Sequence, residues 1–272
     1  MRTIYIITAI LSIAFASCKK ETTPNPSIDP TEGLIKISTG YAPGAATMVE
    51  LWAQAGPSTG YNPMVIVLRD SVSNQLLPKA DLKVVPLMDM NMNGMKMTHS
   101  APAEQPSGNA VANAGFPFAA IFTMPGSEQG KWYLDVTVRQ DGKVRSGTIR
   151  LPLEVKNSLA ERVKTITAAD GSKLSLAFLG PHKPKVGIND FELTIHRRQD
   201  MMNFPAVDDY SITMTPEMPS MGHGSPNNIN PVIAKDGHYK GKVNFTMTGD
   251  WRINLELTKN GQKTTLFFDL TF

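Results

Sequence analysis

Met88-Asp-Met-Asn-Met-Asn-Gly-Met-Lys-Met-Thr-His99 folds back on itself at its centre. Asn93-Gly94 supplies the residue types that best tolerate the positive φ of a type I′ turn, and such a turn fixes the register of the two strands it joins. Met92 then faces Met95, Met90 faces Met97, and Met88 faces His99. Side chains alternate along a strand, so these six share one face while Asp89, Asn91, Lys96 and Thr98 take the other. Opposed residues stand about 4.5–5.5 Å apart at Cβ, close enough for flexible thioethers to meet on one soft ion. Thioether and imidazole donors together suit Cu(I), and Ag(I) by the same softness. Met92, Met95, Met97 and His99 lie nearest the polar turn and are the expected ligands. Met88 and Met90 adjoin an apolar strand and fit core packing equally well. A methionine face of this kind also suits an adaptable protein contact.

Outward from the hairpin, short strands recur. Thr47–Ala53, Asn62–Arg69 and Asp81–Leu87 precede it, with a weaker strand at Leu34–Ser38. Ser100–Gly115 is small, polar and interrupted by prolines, and reads as a loop. Phe116–Met124, Trp132–Arg139 and Val144–Val155 follow, the last two joined by an Asp141-Gly142 turn. No segment sustains a 3.6-residue apolar period, so the chain reads as all-β. Strands at this spacing predict a β-sandwich.

The second half repeats the plan. Met97-Thr-His99 answers Met221-Gly-His223, Phe122-Thr-Met124 answers Phe245-Thr-Met247, and Gly130-Lys-Trp132 answers Gly249-Asp-Trp251. Each Trp begins a strand with apolar alternate residues, which marks it as a core anchor. Strands are predicted at Leu174–Leu179, Asn189–His196, Tyr210–Met214, Tyr239–Thr248, Trp251–Thr258 and Thr264–Phe272, with Asn260-Gly261 as a hairpin turn. Two tandem sandwiches over 34–157 and 168–272 follow, with a linker near 158–168. Pro216, Pro219 and Pro226 are expected to stop the strand through Met214. That leaves Met218, Met221 and His223 in a structured loop as a second soft-ligand set. His238 reads as an exposed edge histidine, and Met201-Met202 as loop packing.

Residues 1–17 form an export signal, with Arg2 ahead of an apolar run too short to span a membrane. Phe15-Ala-Ser-Cys18 resembles the end of a bacterial lipoprotein signal, which implies cleavage before Cys18 and lipidation of its thiol. Residues 18–33 are polar and proline-rich, a flexible tether. Cys18 is the single cysteine, so no intrachain disulfide forms, and methionine becomes the natural soft ligand in an oxidising compartment. A net charge of +3 with no basic block argues against nucleic acid. No nucleophile elbow, zinc-protease helix or phosphate-cradling loop is present, and the chain is not read as an enzyme.

Met214-x3-Met218-Pro-x-Met221-x-His223, then Gly237-His-Tyr239, then Gly249-x-Trp251 together resemble the YtkA-like (FixH-related) family. The first half keeps Met-x-His and Gly-x-Trp but replaces Met-Pro-x-Met with the Asn-Gly hairpin. The resemblance implies Ig-like β-sandwiches in exported or membrane-attached proteins, similar to domains near copper-handling and oxidase-assembly systems. The expectation is an envelope lipoprotein, periplasm-facing or on the outer membrane, that carries or sequesters Cu(I). The alternatives are a metal-free module of an efflux or oxidase-assembly complex and an adhesin-like spacer.

Overall fold

A computed structural model describes residues 29–106, 115–140 and 144–272. The signal, Cys18, most of the tether and the Asp141-Gly142 turn lie outside the described residues.

Among the described residues eighteen strands form four antiparallel sheets. The first nine are β1 (Ile35–Ala42), β2 (Thr47–Ala53), β3 (Gly60–Asp70), β4 (Asp81–Met92), β5 (Met95–Ser100), β6 (Ala103–Glu104), β7 (Gly115–Phe122), β8 (Gly130–Gln140) and β9 (Arg145–Leu153). They build sheets β1-β2-β3-β7-β6 and β5-β4-β8-β9. The second nine are β10 (Val163–Thr167), β11 (Lys173–Gly180), β12 (Gly187–Arg197), β13 (Ser211–Met218), β14 (His223–Gly224), β15 (Ile229–Lys235), β16 (His238–Phe245), β17 (Asp250–Lys259) and β18 (Gln262–Thr271). Their sheets are β10-β11-β12-β16-β15 and β14-β13-β17-β18. Adding nine to each strand number converts the first pair of orders into the second, so the chain is two copies of one all-β, Ig-like sandwich.

Each copy has its own core. Between the first two sheets lie Leu51, Ile66, Phe116, Phe122 and the β8 residues Trp132, Leu134, Val136 and Val138. Between the second two lie Leu176, Phe191, Tyr239, Phe245 and the β17 residues Trp251, Ile253, Leu255 and Leu257. The period-2 burial of β8 and β17 is what a strand with one face on a core requires. Both tryptophans anchor the cores as expected, and each meets a phenylalanine of the facing sheet, Phe122 at 4.9 Å and Phe245 at 5.3 Å between ring centres.

Several strands differ from the sequence expectation, two of them around the second domain's entry and its expected ligand loop. β10 occupies part of the stretch read as linker, and Asp170-Gly171 turns it into β11, so the second domain begins before residue 168. β13 continues through Pro216 to Met218. Its ladder to β17 includes Pro216 opposite Ile253, whereas its pairing with β14 starts only at Glu217. Pro216 thus sits where one side of the strand is a bare edge, a place that tolerates proline.

A small apolar patch of Tyr61, Ile121, Val163, Ala177 and Leu179 joins the domains. The Ser100 N–H donates to the Met201 carbonyl across the same boundary, at 2.8 Å.

Candidate metal centres

The methionine hairpin has the register that its turn dictates. Asn93 and Gly94 sit at φ 53° and 84°. Met92 pairs with Met95, Met90 with Met97, and Met88 with His99. Along this face exposure falls from the tip inward. Met95 is 68% exposed, Met92 49% and Met97 40%; Met90 is half-buried, and Met88 is 2% exposed. The opposite face is tied down. Thr98 Oγ1 donates to Asp89 at 2.7 Å, and Arg150 reaches Asp89 at 3.0 Å while chelating Asp135 with its other nitrogens. The Asn91 N–H donates to the Gln129 carbonyl of the neighbouring loop at 2.8 Å.

At the inner end of the hairpin four residues form a corner. Met88 lies opposite both His99 on β5 and Trp132 on β8. Gly130 makes room for it: a Cβ there would stand 2.8 Å from the Met88 methyl carbon. The His99 ring meets the Trp132 ring edge-on at 5.5 Å. His99 Nδ1 lies 3.0 Å from the Ser100 carbonyl. A carbonyl only accepts, so Nδ1 carries the ring proton, and in the neutral ring Nε2 bears a lone pair. That Nε2 is buried and has no hydrogen-bond partner.

The second domain repeats the corner. Met218 pairs with His223, and a Cβ on Gly249 would stand 3.0 Å from the Met218 methyl carbon. His223 Nδ1 lies 3.0 Å from the Gly224 carbonyl, and its ring meets Trp251 edge-on at 5.9 Å. In each copy the indole N–H donates to a methionine carbonyl, Met124 at 3.1 Å and Met247 at 3.0 Å. The Gly-x-Trp motif thereby acquires a physical meaning: the glycine seats a thioether and the tryptophan backs an imidazole.

The expected ligands separate into two kinds. Met92, Met95, Met97 and Met221, the last 60% exposed, are open to solvent. Met218 is 2% exposed, which corrects its placement in an open loop. Because β13 runs on past Pro216, Met218 continues the inward phase of Ile212 and Met214 and packs over Gly249. Met124 and Met247, at matched positions and 39% and 37% exposed, stand beside the corners. The repeated Phe-Thr-Met marks both, although nothing in its spacing singles them out as ligands. Among the described residues no three His, Cys, Asp or Glu side chains gather as a metal site. Any ion held at these corners therefore depends on sulfur.

A separate cluster has no signature in the sequence. His238, expected at an exposed edge, is half-buried between two carboxylates, with Nδ1 2.7 Å from Glu192 and Nε2 2.8 Å from Glu104 of the other domain. Both ring nitrogens must donate, so the ring is an imidazolium. The bond to Glu104 raises its pKa against the opposing effect of burial, and Glu192 adds to the rise. Burial pushes Glu104 up, but hydrogen bonds from His238 and the Tyr61 hydroxyl outweigh it and hold the carboxyl below its usual range. His196 nearby is sealed in, and burial lowers it to about 4. The Asp236-Gly237 turn places His238 at the head of β16, but nothing local signals the partner 134 residues away.

Residues 169–256 match the YtkA-like family model, a span running from the β10–β11 turn into β17. Among solved structures, the titin Ig tandem domains A164-A165 align over 79% of this chain and 90% of theirs, at 9% identity and a TM-score of 0.19. A chimeric titin Z1Z2-Z1Z2 tandem functionalised with a GRGDS peptide from fibronectin aligns over 80% and 93%, at 13% identity and 0.21. The protein pT26-6p aligns over 87% of this chain and 64% of its own, at 10% identity and 0.24. A search of curated proteins finds no match.

Proposed function

We propose, taking the YtkA-like second domain as the premise, that the protein is an envelope lipoprotein that carries or sequesters Cu(I) through its Met/His corners, chiefly that of the first domain. The observation that carries this reading is His99. Its Nδ1–H is committed to a backbone carbonyl, the arrangement that orients ligating histidines. Its Nε2 is a buried acceptor with no partner, a condition that costs about 1–3 kcal/mol unless something binds there. Thioethers from Met88, Met90 and Met97 surround that end of the hairpin, and they suit Cu(I) better than Zn(II). A thioether has no proton to lose, so the sulfur donors bind without deprotonation. In the second domain Met218 is buried as Met88 is, and with Met221 and His223 it makes a site with one methionine fewer. Cys18 would anchor the chain to the membrane through lipid.

The test is titration of the soluble part with Cu(I) against a chromogenic chelator. His99→Ala should remove the tighter equivalent and leave the domain folded; an unchanged affinity and stoichiometry would refute the assignment. A second reading, a metal-free contact surface for an efflux or oxidase-assembly protein, draws on the exposure of Met92, Met95 and Met97. It predicts no tight Cu(I) uptake by the wild type.

A further inference from the structure

We infer that the hairpin face is a ladder for Cu(I), on which Met92 and Met95 receive the ion, Met90 and Met97 pass it, and Met88 and His99 retain it; this rests on the copper reading above. The problem it solves is access. His99 Nε2 is buried and Met88 is 2% exposed, so a donor still holding copper cannot reach either. A handover needs an exposed ligand that can bind before the donor lets go. The outer pair, Met92 with Met95, is the most exposed of the three. Successive pairs on one face of a strand lie about 7 Å apart, a gap that two unbranched thioether side chains can share.

Each step is a ligand exchange. A sulfur or imidazole lone pair forms one new bond to copper while one bond from copper to its previous ligand breaks, the donor's at entry and a thioether's thereafter. The ion stays Cu(I) throughout. A thioether carries no proton, and in the neutral ring the one proton sits on Nδ1 against the Ser100 carbonyl, which leaves Nε2 as the donor to copper. The tied back face, with Asp89 bound to both Thr98 and Arg150, holds the rungs in register. The second domain has the same corner with its hairpin cut back to a turn, and Met221 is the one exposed methionine between Met218 and His223.

The ladder separates rate from affinity. In the full chain, Met92→Leu/Met95→Leu keeps the apolar shape and removes the outer sulfurs. Stopped-flow transfer of Cu(I) from a chromogenic chelator complex should slow at least tenfold, in both directions. Equilibrium affinity, from competition with the same chelator, should stay within about twofold. A slowing of less than threefold overturns the ladder. So does an affinity loss as large as the rate loss, because the outer pair would then be the resident site. His99→Leu is the converse control: capture should stay fast while affinity falls at least tenfold. If the wild type draws no Cu(I) from the chelator, the copper reading itself fails; if it binds and the double variant matches it in rate, the ladder alone fails.

Discussion

The two domains share a corner and differ in what is built on it. Both seat a methionine over a glycine, Met88 on Gly130 and Met218 on Gly249, and both back an imidazole with a tryptophan edge. From the corner the first domain extends a long hairpin, whereas the second turns at once between Met218 and His223. Even the surface varies by exchange. Arg150 on β9 lies over Tyr133 on β8 at 5.3 Å, while Arg252 on β17 lies over Phe267 on β18 at 3.8 Å. Counted from the tryptophans, Tyr133 and Arg252 are the same position, as are Arg150 and Phe267. Cation and ring have swapped strands and kept the contact. The corner therefore belongs to the fold, and the outer thioether pairs are an addition specific to the first copy.

The sharpest way to break the equivalence is at the tryptophans. Each is 1% exposed and sits in a separate core. Trp132→Ala and Trp251→Ala should each cost about 3–5 kcal/mol, and on the alkaline side, where the domains unfold separately, each should lower only its own transition in calorimetry. A single transition shifting as a whole would show that the small apolar junction couples the domains more tightly than its size implies.

The glycines come next, and here the copies should differ. Gly130→Ala and Gly249→Ala both push a methyl into a methionine, at 2.8 and 3.0 Å from its terminal carbon. Flexible methionine ends give way, so Gly130→Ala should cost about 1 kcal/mol. Gly249 also has φ +133°, which an alanine adopts only with strain, so the second variant should cost about 1–3 kcal/mol more. Chemical denaturation of the two variants checks the order; equal losses would remove the backbone term from the comparison.

How much of this was legible follows the same division. The hairpin register came from two residues, because Asn-Gly allows one pairing and alternation then places every side chain. The tryptophan strands and the repeat were readable because half-buried strands keep a period of two. β6, β10 and β15 were not, and all three are sheet edges. An edge strand such as β15 exposes Ile229, Val232 and Ile233 and carries Pro231, so it shows no buried phase. The burial of Met218 was hidden by Pro216, since a proline in sequence does not reveal which side of a strand is unpaired. The corner's unpaired Nε2 depends on three strands meeting, and no spacing encodes it.

His238 sharpens the comparison by asking what joins the copies. Its ring faces Glu104 and Glu192, with Tyr61 edge-on, Lys240 on Glu192 and His196 close by. A histidine raised on folding contributes fully below its unfolded value of about 6.5, and that contribution is lost as pH climbs through the raised folded value. His196 works in the other direction: lowered to about 4, it withdraws stability as pH falls from about 6.5 toward 4. Domain coupling should therefore weaken by about 1 kcal/mol on the alkaline side, seen as separation of the two unfolding transitions as pH rises above about 6.5. Glu104→Gln should show the separated behaviour at every pH. Transitions that stay together in that variant would assign the coupling to the apolar patch instead.

The smallest effect tests the swapped arginines. Both pairs are on the surface, so Arg150→Ala and Arg252→Ala should change stability too little to distinguish the copies. Their reach differs, however. Arg150 also holds Asp89 at 3.0 Å, and Asp89 in turn accepts from Thr98; Arg252 engages Asp269 on the neighbouring strand, away from the short turn. Amide exchange should therefore rise across 89–98 in Arg150→Ala, while 218–223 stays unchanged in Arg252→Ala. Because the rungs depend on that register, the first variant should also transfer Cu(I) about two- to threefold more slowly, in keeping with the small worth of an exposed ion pair. If exchange in the hairpin does not move, its rigidity comes from the backbone ladder and the Asn91–Gln129 bond, and the charged back face serves only to keep that side of the sheet wet.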